Sequence, residues 1–255
     1  PYPISLIGGC EALIRIIKDP KELSAYSRQQ RLEGKTIGCV PTMGYLHRGH
    51  ISLVEASKAE NNITLVSIFV NPTQFAANED LSVYPRDFER DCNLLEDAGT
   101  DIVFYPNVDD IYPENFQTYI QVEKVSLFLE GALRPTHFRG VCTVVAILLN
   151  LAGADNAYFG RKDAQQFAVI SRMVKDLHIP TKLTACPLIR EEDGLALSSR
   201  NVFLSPEERE EALTLYNSLK LAEKLISEGS RDVSDIKLAM EQQFLDKKNS
   251  VLQYI

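Results

Sequence analysis

Two histidines three positions apart, His47 and His50, lie in the segment 41–50 and account for half of the four histidines in the chain. The apolar, β-branched run 36–40 precedes this segment and predicts a strand. A helical pattern opens at Ile51, so the histidines are expected at a strand-to-helix turn. On a helix this spacing places both imidazoles on one face, roughly 5–6 Å apart.

Gly44 and Gly49 in the same segment lack a Cβ and would let a ligand approach the backbone closely. The free N–H groups and partial positive charge of a helix start favour an anion. We therefore interpret the turn as a phosphate receptacle with two imidazoles aimed at it. Ordinary turn positions and a zinc site are the alternatives, but no second cluster of His or Cys supplies the ligands that zinc requires.

The bulk composition indicates an ordinary soluble globular protein. The chain has 255 residues, 45% hydrophobic and 24% charged, with a net charge of −8. That charge disfavours nucleic acid as a partner, and no apolar run is long enough to span a membrane. The first residues have neither the basic flank nor the apolar core of a signal peptide. Five scattered cysteines suggest buried thiols in a reducing cytoplasm: Cys10, Cys39, Cys92, Cys142 and Cys186.

Strands alternate with helices along most of the chain, which predicts an α/β fold with a parallel, doubly wound, Rossmann-like sheet. We place this domain at 1–187 and a smaller α+β domain at 188–255. The predicted core strands are 36–40, 63–70, 101–105, 156–159 and 181–186. One or two helices are expected within 11–33, an edge strand at 118–122 and a strand at 251–255.

A second strand-to-helix turn follows the strand 156–159. Gly160 and Lys162 stand where they could meet phosphate, and Asp163 is either a helix N-cap or part of the same site. The helix that follows is expected to run to Leu177. Two turns of the same type therefore present cationic or imidazole side chains at strand ends.

The strand 63–70 ends in Asn71 and Gln74, where ligands of open α/β sheets bind. For Asn71, substrate contact and simple turn chemistry are equally supported, whereas function is favoured for Gln74. The basic stretch 131–140 is predicted as a loop before an apolar helix at 141–152. It suits an anion but also suits a solvated loop.

With these motifs in view, the chain resembles the pantoate–β-alanine ligase family, which belongs to the nucleotidyl transferases with a His-x-Gly-His signature. That signature alone would indicate only the superfamily, whereas six matching segments in the same order are specific. The resemblance covers nearly the whole chain. The matching segments are 41–50, 69–75, 84–86, 137–145, 159–166 and 190–201.

The resemblance implies an ATP-dependent condensation of pantoate with β-alanine through a pantoyl adenylate. The catalytic residues it implies are His50, His47, Lys162 and Arg200. It implies that ATP is bound by Met43, Gly44, Tyr45, Leu46, His47, Arg48, Gly49, His50, Gly160, Arg161, Lys162, Asp163, Ile189, Leu197, Ser198, Ser199 and Arg200. The substrate-binding residues it implies are Gln74, Gln166 and Asn71.

The residue types suit this chemistry. The carboxylate of pantoate is ionised at neutral pH, so the first step needs positioning and charge neutralisation rather than a general base. ATP implies Mg²⁺, held mainly by phosphate oxygens, with Asp91 as a candidate helper. The resemblance also implies a homodimer formed by the N-terminal domain and a C-terminal domain that is incomplete at Ile255.

Two other functions are compatible with a nucleotide site. A related nucleotidyl transferase for a phosphorylated substrate should carry an additional basic pocket in place of Gln74 and Gln166. A regulatory module without catalysis should have lost at least one of the four implied catalytic residues. All four are present: His47, His50, Lys162 and Arg200.

Overall fold

A six-stranded, entirely parallel sheet forms the centre of the protein, with the strand order β1-β4-β3-β2-β5-β6. The computed structural model describes residues 14–77 and 79–255. The strands are β1 (Arg15–Ile17), β2 (Ile37–Thr42), β3 (Ile63–Ile68), β4 (Ile102–Phe104), β5 (Asn156–Gly160) and β6 (Lys182–Cys186). This order confirms the expected doubly wound α/β fold.

Helices cover both faces of the sheet. The helices of the described residues are α1 (Pro20–Leu32), α2 (Arg48–Glu60), α3 (Phe88–Asp97), α4 (Val108–Ile111), α5 (Glu130–Leu133), α6 (His137–Ala152), α7 (Ala164–Asp176), α8 (Pro206–Ser227) and α9 (Val233–Gln242). Leu65 and Val66 show why β3 is continuously apolar: Leu65 packs with residues of α1, α6 and α7, and Val66 with residues of α2 and α3. Every β3 residue is buried, as a strand covered on both faces requires.

The N-terminal part of the described chain differs from the helical pattern expected for 11–33. Residues 14–17 carry the edge strand β1, which pairs with β4, and residues 11–13 lie outside the described residues. Pro20 begins α1 rather than interrupting it, because Asp19 caps the first turn by accepting from the N–H of Lys21 at 2.6 Å. Gly34, at φ 77°, follows the end of the helix in the left-handed conformation that glycine favours there.

Two further expected strands are absent from the described residues. The segment 118–122 has no regular secondary structure and pairs with no strand, because the N–H of Ile120 donates to the hydroxyl of Thr143 on α6. The segment 251–255 is also irregular, and the Tyr254 hydroxyl donates to Glu130. The described part of 188–255 is therefore helical rather than α+β, with α8 packed on α9.

The helix predicted at 141–152 begins one turn earlier, at His137. Gly140 lies inside this helix. The position requires glycine, because a Cβ there would collide with the backbone of Thr73 and Gln74. Part of the basic stretch 131–140 is also helical, as α5. Gly140, which the sequence places in a predicted loop, thus allows α6 to approach the turn after β3.

The cysteines in the described part of the chain are unpaired thiols. Cys39, Cys142 and Cys186 are buried, as expected, whereas Cys92 is only half-buried and departs from that expectation. Burial raises the pKa of Cys39 and of Cys142 to about 12, so both remain thiols at neutral pH. Cys10 lies outside the described residues.

Candidate active site

A cavity opens beside the carboxyl ends of β2 and β5. The chain leaves β2 toward β3 on one side and returns to form β5 on the other, so these two neighbours mark the switch point of the sheet. Open α/β sheets bind ligands at such points. The cavity has a volume of about 540 Å³, which lies in the range of small-molecule sites.

The two histidines form a reciprocal cap at the start of α2. His47 is the N-cap, and its Nδ1 accepts from the N–H of Gly49 at 3.1 Å. The N–H of His47 in turn donates to Nδ1 of His50 at 3.3 Å. The ring centroids lie 4.0 Å apart. The predicted strand-to-helix position of the pair is confirmed, with α2 beginning at Arg48.

Both imidazoles are neutral at pH 7. Burial, followed by the positive charges of Lys162 and Arg90, lowers the pKa of His47 to about 4. Burial, followed by His47 and Lys162, lowers the pKa of His50 to about 3. Since Nδ1 of each ring accepts a backbone N–H, each neutral ring carries its proton on Nε2. The pair can therefore donate Nε2–H to an anion without being charged itself.

Lys162 supplies the positive charge that the histidines lack. It follows β5, in the 3-10 turn Arg161–Asp163, and lines the same cavity. Its Nζ lies 3.1 Å from Oδ1 of Asp163, in a half-exposed pair. Asp163 occupies the N-cap position of α7 but makes no side-chain cap hydrogen bond, so the expected capping contact is absent. Its carboxylate instead accompanies the lysine.

Gln74 faces the cavity from a 3-10 turn directly after β3. Its Oε1 accepts from Nδ2 of Asn71 at 3.1 Å, and its Nε2 lies 3.1 Å from Sδ of Met43, a weak acceptor. Its amide N–H groups thus have no strong acceptor among the described residues. The His137 Nδ1–H donates to the Gln74 carbonyl at 3.0 Å, which ties the turn to α6.

Asn71 is 1% exposed, and its polar atoms are used within the protein. Its Oδ1 accepts from the hydroxyls of Thr73 and Tyr112, at 2.9 and 2.8 Å. Its Nδ2 donates to Gln74 and to the carbonyl of Gly140 at 3.2 Å. Asn71 borders the cavity, but its side chain mainly links the turn after β3 to α6 through hydrogen bonds.

Gln166, the second predicted substrate ligand, also lines the cavity. Its neighbour Gln165 makes contacts of another kind, because its Nε2 donates to the carbonyls of Val125 and Phe128, and its Oε1 accepts from the N–H of Glu130. Gln165 therefore secures the loop in front of α5, which leaves Gln166 as the glutamine of this pair for a ligand.

Arg200 reaches the cavity from the segment after β6. Asp80 pairs with it in a two-pronged contact, with Nε–Oδ2 at 2.6 Å and Nη2–Oδ1 at 2.9 Å. This pairing lowers the pKa of the Asp80 carboxyl. The neighbouring Ser199 hydroxyl donates to the carbonyl of Tyr45 at 3.0 Å. This bond attaches residues 197–200, the arginine segment, to residues 44–50, the histidine turn.

The cavity brings together most of the residues implied for the site. Those lining it are Met43, His47, Gly49, His50, Asn71, Gln74, Gly160, Lys162, Asp163, Gln166, Ile189, Leu197, Ser198, Ser199 and Arg200. The remaining members of the implied ATP set do not line it: Gly44, Tyr45, Leu46, Arg48 and Arg161. Arg48 is instead exposed and paired with Glu55 at 2.7 Å.

Seven polar residues that line the cavity had no assigned role in the sequence: Thr42, Tyr84, Glu130, Arg134, His137, Gln165 and Tyr254. Arg134 pairs with Glu79 and Glu130, so this cation of the basic stretch is neutralised within the protein. Tyr84 and His137 stand in segments that carry the family resemblance, which was the available signal. Neither residue type nor spacing alone distinguished them from core aromatics.

The described residues offer no cluster of three His, Cys, Asp or Glu that could hold a metal ion. Asp91, the candidate helper for Mg²⁺, has a side chain only 1% exposed, and both of its oxygens accept backbone N–H groups. The donor set therefore does not fit a protein-held Mg²⁺. Within 14–77 and 79–255, no helix has the length and apolar character needed to cross a bilayer.

Sheet order and cavity together define a doubly wound α/β enzyme whose ligand site lies at the switch point, with neutral imidazole donors and a lysine around it. The family model described as "Pantoate-beta-alanine ligase" matches residues 15–255. The chain therefore belongs to the pantoate–β-alanine ligase family and catalyses the ligation of pantoate to β-alanine.

Individual relatives agree with this assignment. The chain is 52% identical over 240 residues to the pantothenate synthetase of Caldicellulosiruptor bescii, covering 94% of this chain and 85% of the relative. It is 56% identical over 227 residues to that of Thermotoga neapolitana, covering 89% and 81%. These shares exceed two thirds, so the similarity extends over most of both proteins.

Solved structures show the same fold. Pantothenate synthetase from Thermus thermophilus superimposes with a TM-score of 0.86 at 47% identity, covering 91% of this chain and 82% of that one. The ligase from Francisella tularensis, in complex with β-γ ATP and β-alanine, gives a TM-score of 0.79 at 36% identity, covering 90% and 86%.

Proposed function

We propose that the cavity at the switch point binds ATP, pantoate and β-alanine together, and that ligation proceeds through a pantoyl adenylate. The observation that carries this proposal is the convergence of Lys162, His47 and His50, from two separate strand-to-helix turns, in one cavity with Gln74 and Gln166. The Francisella relative, crystallised with an ATP compound and β-alanine, supports a shared site for both ligands.

In the first half-reaction, a carboxylate oxygen of pantoate attacks the α-phosphorus of ATP. The bond from this phosphorus to the oxygen bridging to the β-phosphate breaks, and pyrophosphate leaves. No general base is needed, and the histidines are unsuited to act as bases because Nδ1 is occupied and Nε2 is protonated. We assign His47 and His50 as neutral donors to phosphate oxygens, and Lys162 and Arg200 as the balancing positive charge.

In the second half-reaction, the unprotonated amine of β-alanine attacks the acyl carbon of the adenylate. The C–N bond forms, the bond from that carbon to the AMP oxygen breaks, and AMP leaves. The proton lost by the amine passes to water or to the departing phosphate. We assign the remaining ATP contacts to the loops implied by the resemblance, including Ile189 and 197–199.

Pantoate is proposed to bind through Gln74 and Gln166. Amide groups can orient the carboxylate and hydroxyls without the strong ion pair that an arginine would form, so the nucleophile stays reactive. Apolar residues in the same cavity, Pro41, Met43 and Val141 among them, suit the two methyl groups of pantoate. We propose that Asn71 contributes by holding Gln74, since its own polar atoms are engaged.

Several accompanying properties stay within the proposal. Mg²⁺ is proposed as the ion that accompanies the ATP phosphates, with no step assigned to it, since the described residues form no site for it. A homodimer and a cytoplasmic location are proposed from the family resemblance. Light scattering on the purified protein would test the dimer directly through its mass.

The proposed function is tested by pantoate-dependent exchange of labelled pyrophosphate into ATP, measured without β-alanine. We expect exchange with pantoate and none without it. Lys162→Met should lower the exchange rate by about 10²-fold or more, whereas Lys175→Met, which removes an exposed lysine of α7, should leave it unchanged. Exchange with a different acid but not with pantoate would contradict the adenylate proposal.

A further inference from the structure

A buried carboxylate lies directly beneath the histidine turn. Asp91 belongs to α3, and its side chain is 1% exposed. Its Oδ2 accepts from the N–H of Tyr45 and its Oδ1 from the N–H of Leu46, both at 2.7 Å. Each carboxylate oxygen thus receives one of two successive backbone N–H groups, an arrangement with the short distances of charge-assisted hydrogen bonds.

The turn has a backbone shape that creates an anion site. Gly44 has φ 85° and Tyr45 has φ 48°, so two successive residues adopt left-handed conformations. Successive N–H groups in such turns converge on one acceptor and form an anion-binding nest. Here the nest already contains an anion, the carboxylate of Asp91. A Cβ at Gly44 would lie 3.1 Å from Oδ2 of Asp91, so the close approach of this carboxylate to the turn also depends on glycine at position 44.

The residue before Asp91 holds the same turn from its acceptor side. Nη2 of Arg90 donates to the carbonyl of Leu46 at 2.9 Å, and its guanidinium lies 5.0 Å from the ring centroid of Tyr45. Adjacent side chains of α3 therefore bind both the N–H and the C=O of Leu46. The peptide groups on either side of this residue are fixed immediately before the first histidine.

This geometry connects α3 to the two imidazoles. Leu46 directly precedes His47, whose N–H donates to Nδ1 of His50 and whose Nδ1 accepts from Gly49. A change in the orientation of Leu46 would therefore move the donor that orients the second ring. No other side chain among the described residues binds the N–H groups of Tyr45 and Leu46.

We propose that Asp91 is a positioning residue, an internal anion that holds the turn so that His47 and His50 present Nε2–H to the phosphates of ATP. The inference deepens the proposed function and rests on the role given there to the histidines. It also assigns phosphate binding to the imidazoles and to the start of α2, because the N–H groups of Tyr45 and Leu46 are already taken.

The test variant is Asp91→Asn, which keeps the size of the side chain. The amide oxygen can accept one N–H, but the NH₂ group then faces the other N–H and leaves it unpaired. We expect kcat for pantoate-dependent pyrophosphate exchange to fall about 10²-fold, as a small misplacement of catalytic groups does, while KM for pantoate changes less than about 2-fold.

A spectroscopic measurement separates positioning from general stability. The chain has only four histidines, so the imidazole nitrogens can be assigned by ¹⁵N NMR. In the wild type, His47 and His50 should show the Nε2–H form, and in Asp91→Asn their signals should shift toward averaged tautomers. The matched control is Asp87→Asn, which removes a negative charge at the N-cap of α3, keeps an oxygen that can accept the Arg90 N–H, and does not touch the turn. It should leave both exchange and imidazole signals unchanged.

Unchanged exchange in Asp91→Asn, or lost exchange with unchanged imidazole signals, would overturn the proposal. If His50→Ala, which has no side-chain donor, retained exchange, the proposed role of the histidines would fail, while the imidazole shift in Asp91→Asn would still report on positioning. Should Asp91→Asn not fold, Arg90→Gln carries the test. It removes the contact to the Leu46 carbonyl from a partly exposed residue, and the same imidazole shift is expected, with its absence overturning the proposal.

Discussion

The histidine turn and the arginine segment meet in one cavity but are held by different kinds of interaction. His47 and His50 are fixed by backbone hydrogen bonds, by each other and by the buried carboxylate beneath them. Arg200 is held by an ion pair with Asp80, and both side chains are partly exposed, at 42% and 28%. A desolvated network is costly to disturb, whereas an exposed ion pair exchanges at little cost.

This difference suggests a division of labour. The histidine turn is already arranged for phosphate, with neutral donors that need no reorganisation. Arg200 must exchange Asp80 for phosphate if it is to contact ATP. The first region should therefore determine the rate of phosphoryl transfer, and the second should influence ATP affinity.

The largest effect is expected from the histidine turn. His50→Ala removes the Nε2–H donor and should lower the pantoate-dependent exchange rate by about 10²–10³-fold, the loss typical of one preorganised donor. The control is His178→Asn, at an exposed left-handed position after α7 where asparagine is tolerated, and it should exchange normally. A loss below about tenfold in His50→Ala would contradict the contrast between the two regions.

A second effect concerns stability against pH. The pKa of His50 is about 3 in the folded protein and 6.5 for the free side chain, so the unfolded chain binds more protons between these values. The free energy of unfolding therefore falls as pH drops below 6.5. Between pH 7 and 5 the share of His50 is about 1 kcal/mol after allowance for partial exposure.

This dependence can be measured by thermal unfolding at both pH values. The wild type should lose about 2–4 °C more in Tm than His50→Gln does on going from pH 7 to pH 5. His178→Asn should behave like the wild type. An equal loss in wild type and His50→Gln would mean that the turn does not exclude protons as its burial implies.

The smallest effect is expected at the arginine segment. Asp80→Asn removes the carboxylate that competes with phosphate for Arg200, so KM for ATP should fall about 2–3-fold, as the small free energy of an exposed pair predicts. Steady-state kinetics would show this, with Asp109→Asn, an exposed change in α4, as control. A higher KM would show instead that Asp80 orients Arg200 for ATP.

Much of the framework follows from local sequence. The strand that precedes His47 and the continuously apolar β3 were predicted correctly, because burial on both faces leaves a recognisable run of residues. The start of α8 at Ser205 also follows from local sequence, because the pattern Ser-Pro-Glu-Glu is typical of the capping box that the structure contains there. Six motif segments then indicated the family, which the match to the family model confirms.

The errors fall where a partner far along the chain decides the structure. Residues 15–17 belong to a segment of helical spacing yet form β1, because β4 offers them a free edge. The alternating segment 118–122 forms no strand, because Thr143 takes the N–H of Ile120. The sequence suggested Asp91 only as a candidate helper for Mg²⁺, and only the folded chain shows it beneath the turn.

Sequence alone determined the parallel α/β class and the two strand-to-helix turns with their histidines and lysine, because these depend on residue type and on short spacings. The family resemblance added the other groups proposed to face ATP, Arg200 among them. Only the tertiary structure decided that the histidines are neutral, that Arg200 is paired with Asp80, and that a carboxylate fills the nest behind Leu46. Protonation and pairing depend on burial and on charges brought together from distant parts of the chain, and no local pattern records either.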